Sequence, residues 1–145
     1  MAVPADINPL IVEALYGEAL DLADALRDRF GGDFANGQTP AEIALACEGL
    51  RATTRTMHCL AWLLNHRAYF AGEISEFQLR RHGRLPGSQP SADLACLPAD
   101  VAALVRLSER LYARVERLEA AWRRAREEAG ESAILRLRAR LARAV

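Results

Sequence analysis

TPAEIALACEGLRATTRTMHCLAWLLNHRAYFAG, residues 39–72, has no proline after its second position and ends on glycine. Thr39-Pro40-Ala41-Glu42 opens it as a capping box. The threonine hydroxyl accepts from the Glu42 backbone N–H, and the glutamate reaches back to the N–H of Thr39. With side chains rotating by about 100° per residue, the stretch carries two apolar lines. Ile43, Cys47, Leu50, Met57, Ala61, Leu64 and Ala68 make one; Leu45, Ala52, Leu60, Leu63 and Phe70 make the other. A helix with two apolar lines needs two neighbours, so 40–72 is read as the central helix of a bundle. Gly49 falls between the lines, where a neighbouring backbone can approach closely. Arg67 falls there too, and a charge inside an apolar arc requires a carboxylate or carbonyl partner.

On the N-terminal side, Asn8-Pro9 caps and starts a helix over 8–30, with Ile11, Leu15, Leu22, Leu26 and Phe30 on its buried face. Gly31-Gly32 ends it. On the C-terminal side, Ser75-Glu76-Phe77-Gln78 is a second capping box and starts a short helix over 76–82. Residues 83–97, GRLPGSQPSADLACL, are rich in Pro, Gly and Ser and read as a loop. A last helix over 98–128 has Asp100 in its first turn. Val101, Leu104, Ser108, Leu111, Val115, Leu118 and Trp122 form its heptad seam. Gly130 is expected to break or fray it. The fold class that follows is all-α: an antiparallel three-helix bundle with one short extra helix. Residues 1–129 form the bundle domain, and 130–145 a basic, amphipathic C-terminal tail.

Composition agrees. Of 145 residues, 51% are hydrophobic, too many for a disordered chain. All 19 basic residues are Arg, balanced by 19 acidic ones, but unevenly placed. Residues 1–50 hold two Arg against nine Asp and Glu, 51–100 six against four, and 101–145 eleven against six. The acidic first part and basic last part can attract each other across the bundle. Three cysteines (47, 59 and 96) without CxxC spacing argue against a disulfide framework. No basic-then-apolar leader opens the chain, and no apolar run approaches the roughly 20 residues that span a bilayer. The expectation is a cytoplasmic protein.

Motifs for chemistry are few. There is no GxGxxG, Walker, HExxH or GxSxG pattern. Cys47, His58, Cys59 and His66 share one helix, but Cys47 and His58 lie about three turns apart, too far to share a metal ion. No enzyme activity, cofactor or metal is expected. An Arg-rich helix can track phosphates, so a nucleic-acid-associated helical protein is the alternative reading. Zero net charge and Glu residues between the Arg residues speak against it. The tail, with Arg136, Arg138, Arg140 and Arg143 beside Ile134, Leu135, Leu137 and Leu141, suits an anionic membrane surface, but a partner-binding or disordered end is the preferred reading.

The central helix has a third stripe, away from both apolar lines. Glu48, Arg51, Arg55, His58, Trp62, Asn65, His66, Tyr69 and Glu73 lie within about 120° of one another. Arg51, Arg55, His58, Trp62, His66, Tyr69 and Glu73 are the candidate partner interface, since aromatic and Arg side chains are enriched at interface centres. A second reading has the short helix or the 83–97 loop folding over the stripe and burying Trp62. A homodimer packing this face against its copy satisfies both.

TTRTMHCLAWLLNHRAYFAGEIS (53–75) resembles the signature of the alphaproteobacterial DUF1465 (RcdA, regulator of CtrA degradation) family. Thr54-Arg55, Ala61-Trp62-Leu63-Leu64, Arg67 and Gly72-Glu73 carry the likeness. EALYGEALDLADALRDRF (13–30) and LPADVAALVRLSERLYARVERLE (97–119) resemble the family's first and last helices. The resemblance implies a dimeric three-helix bundle and a non-enzymatic adaptor in regulated proteolysis. Its implied partners are the ClpX/ClpP protease (ClpXP), a CpdR-like response-regulator adaptor, a PopA-like cyclic-di-GMP effector and a CtrA-like client, with a polar focus in the cytoplasm. Family members carry a mobile loop and tail, to which 83–97 and 130–145 correspond by position.

Overall fold

A computed structural model describes residues 8–32, 39–91 and 94–144. The expectations on residues 1–7 and 33–38, on Ala92 and Asp93 and on Val145 lie outside the described residues. Four α-helices appear: α1 (Pro9–Phe30), α2 (Pro40–Phe70), α3 (Glu76–His82) and α4 (Ala99–Ala144), with one 3₁₀ turn at Leu94–Cys96. Among the described residues there is no strand.

The helix starts follow their caps. Asn8 Oδ1 accepts from the Ile11 N–H at 2.9 Å. Both capping boxes close in both directions, Thr39 with Glu42 and Ser75 with Gln78. α2 stops at Phe70, two residues earlier than the sequence predicts. Gly72 takes φ +77°, and the N–H groups of Gly72 and Glu73 turn back to the carbonyls of Tyr69 and Ala68. Such a left-handed cap suits glycine because it has no Cβ.

α4 departs further. It runs unbroken through Gly130 to Ala144, 46 residues, on the order of 70 Å at 1.5 Å per residue. A single interior glycine costs a helix only about 1 kcal/mol. The Arg, Glu, Ala and Leu residues on either side outweigh it. The tail expected beyond residue 130 is therefore the end of α4, and its Ile134, Leu135, Leu137 and Leu141 are exposed.

α1 runs antiparallel to both other long helices. Glu13 meets Arg67 and Phe30 meets Gly49 along α2; Glu18 meets Arg114 and Arg29 meets Asp100 along α4. α2 and α4, however, run parallel, since Arg55 pairs with Ser108 and Trp62 with Glu119. Three helices cannot all oppose one another; here α1 opposes the other two, and the connection explains why α2 and α4 share a direction. From Leu85 to Ser91 the chain runs back along α4 as an extended strap. Leu85 sits beside Glu119, Pro86 beside Tyr112, and Ser88 to Ser91 beside Arg55 and Glu109.

The core joins Val12, Leu15, Ala19, Leu22, Leu26 and Phe30 of α1 to Ala52, Cys59, Leu60 and Leu63 of α2 and Val101, Val105, Leu111 and Val115 of α4, with Leu85 from the strap. Ile11 is only partly buried; Val12 and Ala19 take the central places. Arg67 finds the partner it needs: Nε donates to Glu13 at 2.6 Å, and the guanidinium lies 4.2 Å from the Tyr16 ring centroid.

The orientation of α2 corrects the sequence reading most. Its first apolar line faces outward: Ile43, Leu50, Met57 and Leu64 are 52%, 62%, 54% and 47% exposed. The second line turns inward except at Phe70, which is 38% exposed, together with Glu48, Arg55, Trp62 and His66 of the polar stripe. α4 and the strap supply polar partners for Arg55 and Trp62, while Glu48 pairs with Arg51 and His66 bonds the Trp62 carbonyl within α2 itself.

Candidate functional site

The stripe, the strap and α4 meet in one network. Arg55, 4% exposed, is its upper anchor. Nη1 donates to Ser108 Oγ at 2.7 Å, Nε to Ser88 Oγ at 3.0 Å, and Nη2 to the Gln89 carbonyl at 3.2 Å and Ser91 Oγ at 3.3 Å. Ser91 in turn donates to Glu109. A guanidinium carries five donors in a planar fork, enough for these four acceptors, where an ammonium has three. Tyr112 adds a bond from its hydroxyl to the Pro86 carbonyl at 2.7 Å.

Glu119 is the lower anchor. One carboxylate oxygen accepts from Trp62 Nε1 at 3.0 Å and from the Leu85 backbone N–H at 2.6 Å; the other accepts from Arg123 at 2.7 Å. The α2 stripe, the strap and α4 are thus tied through one buried side chain.

Below Trp62 lies His66. Its ring stacks on Trp62 with centroids 3.6 Å apart and meets the Trp122 edge at 5.1 Å. Nδ1 stands 2.9 Å from the Trp62 carbonyl. A carbonyl only accepts, so Nδ1 carries the proton and Nε2 a lone pair. Nε2 is buried without a hydrogen-bond partner among the described residues. Burial holds the His66 pKa below the ordinary imidazole value, against the opposing pull of the Trp62 carbonyl and Glu119. Burial likewise pushes the Cys59 thiol up to about 12, against the lowering effect of Arg55.

The seven candidate interface residues therefore separate. Arg55, Trp62 and His66 are buried and hold the strap and α4. Arg51 is half-buried and pairs with Glu48; His58 is half-buried; Tyr69 is half-buried beside Phe70 and Trp122; Glu73 is exposed. Sequence reasoning missed Glu119, although its position three residues before Trp122 and four after Val115 placed a carboxylate at seam spacing. It also missed that Ser88, Gln89 and Ser91 would serve Arg55.

Beside the network opens a cavity of about 690 Å³ between the end of α2, α3 and the Glu119–Gly130 part of α4. No group of three or more His, Cys, Asp or Glu able to hold a metal occurs among the described residues. No described helix is long and apolar enough to cross a membrane. Cys59 is a neutral buried thiol, and the neutral form is a poor nucleophile.

Comparison with known proteins adds two findings. The family model described as "Protein of unknown function (DUF1465)" matches residues 4–145. The crystal structure of RcdA from Caulobacter crescentus CB15 superposes with a TM-score of 0.64 at 24% identity, covering 83% of this chain and 97% of that one. A search of curated proteins finds no match.

Proposed function

The chain belongs to the DUF1465 family, and on that premise we propose that it is a dimeric, non-enzymatic adaptor in regulated proteolysis. In this reading it helps deliver a CtrA-like cell-cycle regulator to the ClpXP protease in the cytoplasm. A CpdR-like response-regulator adaptor and a PopA-like effector are its further partners. The RcdA-like fold supports the reading.

The observation that carries it is the uncovered α2 seam. Ile43, Cys47, Leu50, Thr54, Met57, Ala61, Leu64 and Ala68 repeat at alternating spacings of four and three. That is the heptad of a helix with a partner, and within the monomer its large members stay exposed. Contiguous apolar patches of this kind mark interaction surfaces. In this reading a second copy packs the same line of its own α2 against this one. The accessible edge of the stripe, Arg51, His58, Tyr69 and Glu73, is left for the protease system, while Arg55, Trp62 and His66 position that edge through the strap.

The test is a Leu50→Asp/Met57→Asp variant beside wild type. By sedimentation, wild type is a dimer and the variant a folded monomer. Wild type pulls down ClpX or a CpdR-like protein. A monomeric wild type refutes the seam, and recovery of neither partner refutes the adaptor role.

A further inference from the structure

Past Arg126, α4 stands clear of the bundle. Every residue from 127 to 144 is exposed, a helical length of about 27 Å at 1.5 Å per residue. Ile134, Leu135, Leu137 and Leu141 are 54%, 63%, 56% and 60% exposed there. Ile134, Leu137 and Leu141 follow the spacing of three and four that lets one helix pack on another. Between 132 and 144 the chain has four Arg and no Asp or Glu. At 100° per residue, Arg136, Arg140 and Arg143 gather within about 60° on one side. Two of them fold back on the helix: Arg136 Nε donates to the Ser132 carbonyl at 3.4 Å, and Arg143 Nε to the Ala139 carbonyl at 3.2 Å. Arg138 is different. It lies nearly opposite those three, and its helical neighbours three and four residues away are Ile134, Leu135, Leu141 and Ala142. It has no ion pair among the described residues.

An unpaired cation in the middle of an apolar patch selects what can cover it. A bilayer is a poor match, because a helix lying in the interface would drive Arg138 toward the hydrocarbon, where a guanidinium is costly. Nucleic acid would meet the Arg residues and leave the four large apolar side chains in water. A second copy has the wrong chemistry. Its tail repeats the same Arg, and its uncovered α2 line (Ile43, Cys47, Leu50, Met57, Leu64) has no carboxylate. What fits is a helix of another protein whose apolar stripe contains one acid. Its apolar side chains would cover Ile134, Leu137 and Leu141. Its carboxylate would take the Arg138 guanidinium, ringed by Leu and Ile that exclude water. An Arg at the centre with apolar neighbours around it is the make-up of an interface hot spot.

We infer that the free end of α4 is a docking face for an amphipathic helix of another protein that carries an Asp or Glu inside its apolar stripe, opposite Arg138. The face lies on α4 beyond the bundle, apart from the α2 seam and the Arg55 network, so it stands whether or not the seam makes a dimer.

The probe is a fluorescein-labelled peptide that copies residues 131–144 with glutamate in place of each Arg. Laid antiparallel along α4, it sets Ile and Leu against Leu and Ile, and a glutamate against Arg138. A second peptide has glutamine at that one position. Anisotropy with the full chain should show saturable binding of the first peptide, with the second at least tenfold weaker. Arg138→Gln, at an exposed position, should bind the two peptides alike. Leu137→Ala/Leu141→Ala, also exposed, should weaken the first about tenfold. No saturable binding, equal binding of the two peptides by the unaltered chain, a tenfold preference that survives Arg138→Gln, or full binding by the double leucine variant overturns the inference. A chain that binds vesicles of phosphatidylcholine with one-third phosphatidylglycerol, and binds them more tightly with Arg138→Leu, has a lipid face, and that too overturns it.

Discussion

Glu119→Ala isolates the anchor on which the strap depends. The substitution removes the acceptor of two buried donors, Trp62 Nε1 and the Leu85 N–H. Each buried donor left unsatisfied costs about 1–3 kcal/mol. The Arg123 bond adds little, because that side chain is half exposed. Water from the adjoining cavity can relieve part of the loss, which brings the expected destabilisation to about 2–4 kcal/mol. Glu119→Gln retains one oxygen with two lone pairs, enough for both donors, and forfeits only the assistance of the charge, about 1 kcal/mol. With a urea slope of roughly 2 kcal/mol per molar, the alanine midpoint should fall by about 1–2 M and the glutamine midpoint by about 0.5 M. Both are measured at one protein concentration, since the stability of the proposed dimer would depend on it. Tryptophan emission should shift to the red in the alanine variant before any unfolding, as Trp62 loses its cover. Equal midpoints for the two variants, or an alanine variant within about 0.5 kcal/mol of wild type, would show that Glu119 does not hold the strap.

Gly49→Ala places a Cβ 2.7 Å from two carbons of the Phe30 ring, so despite a helix-propensity gain of up to about 1 kcal/mol it should be net destabilising, by about 1–2 kcal/mol, in thermal unfolding; a stabilised variant would refute the close approach. His66 is neutral in the folded chain with a pKa below its ordinary value, so the unfolded state binds the extra proton and stability falls as pH drops below about 6.5; His66→Gln should remove that part of the slope, at most about 1.4 kcal/mol per pH unit, between pH 7.5 and 5.5. Cys96 and Cys47 are exposed and Cys59 is buried, with a thiol pKa near 12, so a thiol reagent at pH 8 should label Cys96 at once and Cys59 only on unfolding. Cys47, on the seam, should be labelled more slowly as protein concentration rises, and labelling independent of concentration would count against the dimer.

Much of this architecture is legible in the sequence because it rests on local signals. Asn8, Thr39 and Ser75 each sit where a helix begins, and their bonds reach only three residues ahead. What was not legible depends on distant partners. The direction of α4 relative to α2 is set by how far residues 83–97 travel, and neither composition nor periodicity measures that. The inward face of α2 was misassigned for a related reason. A hydropathy pattern ranks Arg55 and Glu48 as solvent-facing, yet Arg55 is satisfied by groups 33 to 53 residues away, which no helical wheel displays. Gly130 shows the reverse error, a local breaker given more weight than its neighbours allow.

The two faces of α2 imply each other. A helix in this bundle can bury only the arc that α1, α4 and the strap cover. Once the strap meets Arg55 and Trp62, that arc is spent on the polar and aromatic side, and the apolar line is rotated into solvent. Leu50 and Met57, 62% and 54% exposed, each forgo about 1–2 kcal/mol of burial, which a second copy would return and water cannot. Loosening the strap through Arg55→Ala should therefore do more than destabilise the monomer. It frees α2 to rotate its apolar line toward the core, and so would weaken the proposed dimer from a site on the opposite face of the helix. Sedimentation of Arg55→Ala beside Leu50→Asp/Met57→Asp separates the two effects. If Arg55→Ala remains a wild-type dimer while its strap becomes susceptible to proteolysis near Pro86–Ser91, the faces are independent and the coupling is wrong.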